Sequence, residues 1–233
     1  MKWKKPMTLS CPIPRNIKLI IFDLDGTLVD AYPAIADSIN YMLKKMGYPA
    51  RSLRFIKRSV GWGVDTLVRC FVPEDKAVEG LEIFRAHHDK RLRQNVKLLP
   101  GTKTLLPFLK EQGCVLAIAS NRPAQFCRII LKAVGIDHYF DHVVCGDMVK
   151  RAKPYPEMLK RILSESGISF TEAVYVGDMS VDVECGRSAG VFAVAVPTGS
   201  CTRAELKAAH PDRMINTISG VRGLFARGCA KKI

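Results

Sequence analysis

A short apolar run that ends in paired aspartates constrains the fold of this chain more than any other stretch. Residues 17–22 are mostly apolar and rich in isoleucine, and Asp23, Asp25 and Gly26 follow closely. A short β-branched run closed by glycine predicts a buried strand that leads into a turn. Because side chains alternate along a strand, Asp23 and Asp25 should lie on one side, just beyond its end. Carboxylates so close repel each other, which indicates cation binding or proton transfer; the alternative is an Asx-rich turn that caps the next helix.

Three further stretches place polar residues after apolar runs or beside prolines. They are VLAIASN at 115–121, KPYP at 153–156 and VYVGDMSVD at 174–182. Strand and helix patterns alternate along the chain, which predicts an α/β fold with a doubly wound parallel sheet and helices on both faces. Ligands of such sheets bind beyond the carboxyl ends of the strands, so Asp23, Ser120 and Asp178 should gather at one edge.

The segment between the first two strand patterns is helical throughout. Residues 32–94 carry apolar residues at helical spacing and are interrupted by the sequence Gly-Trp-Gly at 61–63. We therefore divide the chain into a core domain of residues 16–31 and 95–233 and a small, all-helical domain of residues 32–94, for which the resemblance described below implies the role of a cap. The start of the chain, residues 1–15, is rich in proline and basic residues without periodicity, and we expect a poorly ordered leader.

The four polar stretches resemble, in order, the four sequence motifs of the haloacid dehalogenase (HAD) superfamily. DLDGTLVD at 23–30 is similar to the first motif, and the other three stretches are similar to the second, third and fourth. The resemblance covers nearly the whole chain after residue 16, and Thr27 and Pro33 make it most similar to phosphoglycolate phosphatases. It implies a Rossmann-like core, a helical cap over the active site and Mg²⁺-dependent chemistry.

Asp23 is the candidate nucleophile, because a carboxylate can attack phosphorus and form an acyl-phosphate that water hydrolyses. Asp25 is the candidate general acid and base, and Thr27 is a candidate to position Asp25 and to hold phosphate oxygens. Lys153, held extended before Pro154, can offset the charge of Asp23 and of the phosphate. The resemblance implies the same roles for the first motif, and Asp25 implies phosphoester chemistry because the dehalogenases lack an acid there.

Four residues are candidates for binding the substrate. Ser120 and Asn121 offer a hydroxyl and backbone N–H groups at a helix start, which suits a phosphate, although a helix N-cap is the alternative. Trp62 could cover the leaving group, or it could simply pack in a turn between helices. Arg58 could pair with a substrate carboxylate or a second phosphate, or it could be a surface residue.

The carboxylates also predict a metal site. Hard oxygen ligands beside a phosphate suit Mg²⁺, which binds few carboxylates and keeps several waters. We expect the side chains of Asp23 and Asp178 and the backbone carbonyl of Asp25 to be ligands. Asp182 could reach the metal directly or through water, or it could cap the helix that follows.

The composition argues against several classes of protein. No apolar run reaches about 18 residues and no secretory h-region follows the basic start, so we expect no membrane span and a cytoplasmic location. The eight cysteines form no CxxC pair, which favours packing over a disulfide framework or a zinc site. His87 and His88 lie among charged residues of the cap, and we expect both to face solvent.

These observations predict a Mg²⁺-dependent phosphatase that hydrolyses a small phosphomonoester, similar to phosphoglycolate, through an aspartyl-phosphate. A sugar phosphomutase or a nucleotide or pyrophosphate hydrolase on the same fold is the alternative. The net charge of +14 favours anionic partners and motivates a more distant alternative, a nucleic-acid-binding or protein-binding module that kept the fold. We expect a small phosphorylated metabolite as the partner, rather than nucleic acid, and either a monomer or a homodimer.

Overall fold

The structure is a computed structural model, and it describes residues 13, 14 and 16–225. Its strands, in chain order, are β1 (Leu19–Phe22), β2 (Val29–Asp30), β3 (Lys97–Leu98), β4 (Val115–Ser120), β5 (His142–Cys145), β6 (Ala173–Gly177), β7 (Phe192–Ala195) and β8 (Arg213–Met214). Six of them form a parallel sheet in the order β5-β4-β1-β6-β7-β8. This order confirms the predicted doubly wound α/β core.

Strand β1 lies at the centre of the sheet, and all four of its residues are fully buried. Ile20 and Phe22 pack into the apolar layer on one face, whereas Leu19 and Ile21 pack into the layer on the other. A strand covered on both faces needs apolar side chains in both directions, which explains the unbroken apolar run in the sequence.

The pairing register sets which residues meet beyond the ends of the strands. Phe22 pairs with Ile118 of β4 on one side and with Val176 of β6 on the other. Strand β4 continues for two residues past this level and β6 for one, so Asp23 emerges between the last residues of its two neighbours.

Helices cover both faces of the sheet and form the cap. The cap helices are α1 (Tyr32–Lys45), α2 (Leu53–Ser59), α3 (Val64–Arg69) and α4 (Ala77–Gln94). The core helices are α5 (Thr102–Glu111), α6 (Ala124–Ala133), α7 (Glu157–Ser166), α8 (Ser180–Ala189) and α9 (Arg203–Ala208). The cap helices lie within the predicted bounds of 32–94, and the division of the chain into two domains stays a prediction.

Two short segments connect the core with the cap, and they pair with each other. Strands β2 and β3 form an antiparallel ladder in which Val29 pairs with Leu98 and Asp30 with Lys97. Between α2 and α3 the backbone adopts positive φ angles at Gly61 (130°) and Gly63 (91°), a conformation that residues with a Cβ rarely adopt. The two glycines therefore allow the cap loop to turn where the sequence predicted an interruption.

Several expectations concern the ends of the chain and the surface. The predicted leader lies outside the described residues except for residues 13 and 14, and the last helical element that the structure describes is the 3₁₀ segment Ile218–Leu224. Among the described helices, none combines the length and the apolar character that crossing a membrane requires. The cysteines predicted to pack inside, Cys114, Cys145 and Cys185, are buried free thiols.

Candidate active site

The carboxyl edge of the sheet gathers the charged side chains that the four motifs supply. Asp23 follows β1, Asp178 follows β6, and Lys153 lies on the segment that leads into α7. The Lys153 ammonium donates hydrogen bonds to Oδ1 of Asp23 (2.6 Å) and to Oδ1 of Asp182 (2.7 Å). All four side chains are buried, so these charges interact with little screening by water.

Three of the carboxylates are close enough to hold one ion. Asp23, Asp178 and Asp182 each offer an oxygen, and these oxygens lie within 4.8 Å of one another. Gly199 packs directly against this cluster, and no larger residue fits at its position, because a Cβ there would lie 1.5 Å from Oδ2 of Asp178. Three buried carboxylates face one ammonium, and this excess of negative charge fits a hard divalent cation such as Mg²⁺.

Asp182 differs from the other two carboxylates because donors of the protein already satisfy both of its oxygens. Oδ1 accepts from Lys153 and from the Tyr175 hydroxyl (2.8 Å), and Oδ2 accepts from the backbone N–H of Met179 (2.9 Å) at the start of α8. This geometry matches the helix-capping alternative from the sequence. It also holds Lys153 toward Asp23.

Asp178 is oriented by residues of the first motif and of the loop after β7. Thr27 donates to Oδ1 (3.0 Å), and the backbone N–H of Ser200 donates to Oδ2 (3.1 Å). The Thr27 hydroxyl was expected to position Asp25 and to hold phosphate oxygens. It is directed at Asp178 instead, and its part in phosphate binding stays a prediction.

Burial has the largest effect on the pKa values of the carboxyl groups of Asp23 and Asp178. It raises the pKa of the Asp23 carboxyl to about 7; Lys153 opposes the shift, and Asp182 adds to it. Burial and the charge of Asp23 also raise the pKa of Asp178. Burial alone would lower the pKa of Lys153, but Asp182 and Asp23 outweigh it and keep the ammonium charged. A divalent cation would favour the ionised carboxylates in the same way.

Asp25 is held by a residue that the sequence analysis did not single out. Arg122 donates from Nε to Oδ2 of Asp25 and from Nη2 to Oδ1 (3.1 Å), and the guanidinium is 7% exposed. Its backbone N–H donates to the Ser120 hydroxyl (3.3 Å), so the second motif positions both residues. The sequence offered one signal for this role, a charged residue directly after Asn121 of the second motif and before a proline.

The expectation that His88 faces solvent is wrong, because the residue is fully buried. Helix α4 packs against both α1 and α6, which places this side of the helix in the interior. Nε2 of His88 lies 3.1 Å from Nη1 of Arg122, and Nδ1 lies 3.0 Å from the Ser38 hydroxyl. Burial, followed by the charge of Arg122, lowers the pKa of His88 to about 2, so the ring is neutral and accepts the arginine's hydrogen bond.

The other substrate-binding candidates divide into two groups. Ser120 is buried and lines the site, and the Asn121 side chain donates to the Gly61 carbonyl of the cap loop (2.9 Å). Arg58 instead pairs with Glu205 (2.8 Å from Nη1 to Oε2) on the core, and the Trp62 side chain is 53% exposed. Neither Arg58 nor Trp62 lines the cavity beside Asp23, and their predicted roles in binding stay predictions.

One cavity, of about 50 Å³, joins the two halves of the site. Its floor is charged and polar and comes from the core, whereas most of its roof is apolar and comes from the cap. The floor includes Asp23, Asp25, Ser120, Asn121, Arg122 and Lys153; the roof includes Ile35, Val60, Val64, Leu67, Phe84 and His88. Such a cavity can bind a small anion at its floor and shield it from water.

Comparisons with known proteins agree with this geometry. The family model for haloacid dehalogenase-like hydrolases matches residues 20–196. A phosphoglycolate phosphatase from Pseudomonas savastanoi pv. phaseolicola is 33% identical over 192 residues, which cover 78% of this chain and 70% of that protein. A phosphoglycolate phosphatase from Nitrosococcus oceani is 30% identical over 218 residues, or 90% of this chain and 97% of that protein.

A similar structure is known as well. The crystal structure of a predicted phosphoglycolate phosphatase from Haemophilus somnus 129PT has a TM-score of 0.85 and 30% sequence identity to this chain. The alignment covers 90% of this chain and 98% of that one. The similarity therefore extends over the cap as well as the core.

Proposed function

The chain belongs to the haloacid dehalogenase-like hydrolase family, and we propose that it is a Mg²⁺-dependent phosphatase of small phosphomonoesters. The observation that carries this proposal is the position of Lys153, which bridges Asp23 and Asp182 beside a third buried carboxylate, Asp178. An ammonium beside a buried carboxylate suits a site that receives a phosphate dianion. The named activity of the relatives supports the same reaction class.

In the first step, the Asp23 carboxylate attacks the phosphorus atom. The bond from Asp23 to phosphorus forms while the bond from phosphorus to the leaving oxygen breaks, and the carboxyl of Asp25 gives its proton to that oxygen. Among the described residues, Oδ2 of Asp23 accepts no hydrogen bond, which leaves one oxygen of this carboxylate for the attack. Lys153 offsets the charge that the phosphate brings to Asp23.

In the second step, water hydrolyses the aspartyl-phosphate. The Asp25 carboxylate takes a proton from the attacking water, the new oxygen–phosphorus bond forms, and the bond to Asp23 breaks. Inorganic phosphate leaves, and both carboxyl groups return to their starting state. Over the two steps, one ester and one water become one alcohol and one phosphate.

Asp23, Asp178 and the backbone carbonyl of Asp25 would hold Mg²⁺. Asp182 would contribute less to binding the ion, because both of its oxygens already accept hydrogen bonds from the protein. When bound, the ion would offset the charge of the carboxylates and of the phosphate that approaches them. Thr27 and the backbone N–H of Ser200 orient Asp178 for this role.

The walls of the cavity support a small substrate. About 10–15 Å³ of such space holds one water, so a cavity of about 50 Å³ holds about three to five water-sized groups, which favours a small phosphomonoester over a nucleotide. Phosphoglycolate, the substrate in the names of the relatives, is a small phosphomonoester. We therefore propose phosphoglycolate, or a phosphomonoester of similar size, as the substrate.

A phosphate-release screen tests the function. Small phosphomonoesters, nucleotides and pyrophosphate would be compared with Mg²⁺, and the largest kcat/KM should fall on a small phosphomonoester. Transfer of phosphate to a second hydroxyl without release would indicate the phosphomutase alternative. No turnover of any compound, together with salt-sensitive binding of RNA, would favour the binding-module alternative.

A further inference from the structure

The buried guanidinium of Arg122 is the least explained charge in the cavity. Two of its nitrogens donate to the two carboxylate oxygens of Asp25, and a third, Nη1, points to Nε2 of His88 at 3.1 Å. The two contacts to Asp25 form the planar fork that guanidinium groups make with carboxylates. A site that can hold one carboxylate in this way can also hold another.

The position of this fork is fixed from the cap side. The His88 ring packs against Phe84 (4.5 Å between ring centroids) and Phe126 (5.1 Å), and its Nδ1 lies 3.0 Å from the Ser38 hydroxyl. Ser38 in turn donates to the backbone carbonyl of Ala34 (2.9 Å). Arg122 is therefore anchored before any ligand enters, which limits the entropy lost on binding.

The pairing of Arg122 with Asp25 has a consequence for the proposed reaction. While both oxygens of Asp25 accept from Arg122, neither is free to meet the oxygen that leaves the phosphorus. Asp25 and Arg122 both line the cavity that receives the substrate. A group that takes the place of Asp25 in the fork would release it.

Resting on the proposed phosphatase function, we propose that Arg122 binds a carboxylate on the leaving group of the substrate and that this exchange releases Asp25 for proton transfer. Phosphoglycolate, already proposed as the substrate, carries such a carboxylate on its alcohol. Because both Asp25 oxygens accept hydrogen bonds in the fork, the proton for the leaving oxygen comes from solvent: the released Asp25 takes it up and gives it to the bridging oxygen as the phosphorus–oxygen bond breaks and the bond to Asp23 forms. In the second step Asp25 takes a proton from the attacking water, and it returns that proton to solvent when it pairs with Arg122 again, so the cycle needs no other reactant.

The geometry favours a carboxylate over a second phosphate or a neutral group. The fork already matches the width of a carboxylate, as the contact with Asp25 shows, and the cavity is small. Ile35, Val64, Leu67 and Phe84 add apolar surface on the cap side. A neutral leaving group would leave Asp25 in the fork of Arg122, and its ester should react more slowly.

His88 acts through Arg122 and is a positioning residue. Its Nε2 accepts from Nη1 and keeps the guanidinium facing the cavity. His88→Gln keeps an acceptor in the side chain, whereas His88→Phe keeps a ring beside Phe84 and Phe126 without one.

The test uses two substrates that differ in one group. These are 2-phosphoglycolate and 2-hydroxyethyl phosphate, in which a neutral hydroxymethyl group replaces the carboxylate. The wild type should prefer phosphoglycolate, and Arg122→Gln should lower that preference in kcat/KM by roughly 30-fold to 4,000-fold, the range for a lost buried charge pair. Arg122→Lys keeps the charge without the fork and should lose an intermediate part. Arg128→Gln removes an exposed arginine from α6 and serves as the matched control.

Two further measurements separate a direct role from damage to the fold. Inhibition by glycolate should weaken in Arg122→Gln, while inhibition by inorganic phosphate stays within about threefold, as expected if the phosphate floor survives. His88→Phe should lower the preference for phosphoglycolate, and His88→Gln should restore part of it. A folding defect would lower turnover of both substrates alike.

The outcomes distinguish this inference from the function on which it rests. If the wild type shows no preference for the carboxylate substrate, or if Arg122→Gln lowers kcat/KM equally on both, the assignment of Arg122 is overturned and the phosphatase function stands. If the wild type releases phosphate from no phosphomonoester, the proposed function fails first and the inference fails with it.

Discussion

The floor and the roof of the active-site cavity are built in different ways. On the floor, Asp23 and Ser120 lie at the ends of two neighbouring strands whose register sets their spacing, and a hydrogen bond joins Lys153 to Asp23. On the roof, side chains of α1, α3 and α4 come from helices whose positions depend on packing. His88 reaches the floor only through Arg122.

This difference separates reaction chemistry from substrate choice. The floor concentrates charge: Asp23 and Lys153, which line it, form one buried cluster with Asp178 and Asp182, and this cluster suits a cation and a phosphate. Apart from Tyr32 and His88, the cap residues that line the roof are apolar or glycine, and they can select by size and shape. We expect substitutions of Asp23 and Lys153 on the floor to abolish turnover, and substitutions on the roof or of Arg122, which His88 positions, to change which ester is preferred.

The largest effect should follow removal of the nucleophile. Asp23→Asn keeps the shape of the side chain but does not attack phosphorus, so kcat should fall by at least about 10⁴-fold with the fold intact. Phosphate release from purified protein measures this effect, and circular dichroism checks the fold. Asp65→Asn, at an exposed position of the cap, is the control. Near-normal turnover by Asp23→Asn would break the division between floor and roof.

The next largest effect should follow loss of the metal. Treatment with a chelator should lower activity by about 100-fold or more, and Mg²⁺ should restore it whereas Ca²⁺ should not. Asp178→Asn should weaken Mg²⁺ binding. Asp182→Asn should lower kcat through Lys153 and leave the apparent Kd of Mg²⁺ within about threefold, because Asp182 is held by protein donors. Full activity in chelator would contradict the metal site.

The positions of the polar residues at the strand ends could be predicted from the sequence. An apolar run closed by Asp23 fixes both a buried strand and the place where its carboxylate emerges, because register and alternation are local properties of strands. Parallel topology then places Ser120 and Asp178 at the same edge. The cap helices could be predicted for a similar reason, since helical spacing and the glycines at 61 and 63 are local signals.

The contacts that hold the charged residues in place could not be predicted, because they join segments that are distant in the chain. His88 lies among charged residues of α4, and only the packing of α6 against that helix shows that its ring is buried. Its partner Arg122 is 34 residues away in the chain. Tyr175 is similar: nothing local indicates that a tyrosine in β6 donates to Asp182 and accepts from Lys153. Arg58 is the opposite case: its side chain pairs with Glu205 on the surface of the core, and its role in substrate binding stays a prediction.

A smaller effect concerns the pH dependence of metal binding. The pKa of Asp23 is raised to about 7 in the metal-free protein, and a metal ligand must be ionised. Below pH 7 the proton competes with the ion, whereas above pH 7 the carboxylate is free. Between pH 6 and pH 8 the affinity for Mg²⁺ should therefore rise by about tenfold. Calorimetric titration at the two pH values measures this change.

Asp23→Asn supplies the comparison for that titration. The amide has no proton to lose in this range, so the variant should bind Mg²⁺ more weakly and with a flatter dependence on pH. If Mg²⁺ binding by the variant depends on pH as steeply as in the wild type, the titrating group is another carboxyl of the cluster, such as Asp178, whose pKa burial also raises.

The smallest effects should come from the outer part of the cap, and they test whether it closes the site or chooses the substrate. Arg58 of α2 pairs with Glu205 of α9 and donates to the Ser200 carbonyl (2.6 Å), so it ties the cap to the core. The pair is exposed, and such pairs contribute little, so Arg58→Ala should lower kcat/KM by less than about fivefold. The loss should be equal for 2-phosphoglycolate and 2-hydroxyethyl phosphate, and added salt should reduce the difference from the wild type.

Trp62→Ala should change either value by less than about twofold, because an exposed side chain outside the cavity has few contacts to lose. Arg54→Ala, an exposed position on the same helix as Arg58, controls for the loss of a positive charge. A change in the ratio of the two substrates would mean that Arg58 or Trp62 contacts the leaving group, as the sequence alone suggested. Equal losses on both substrates would limit these residues to holding the cap in place and leave substrate choice to the inner roof and Arg122.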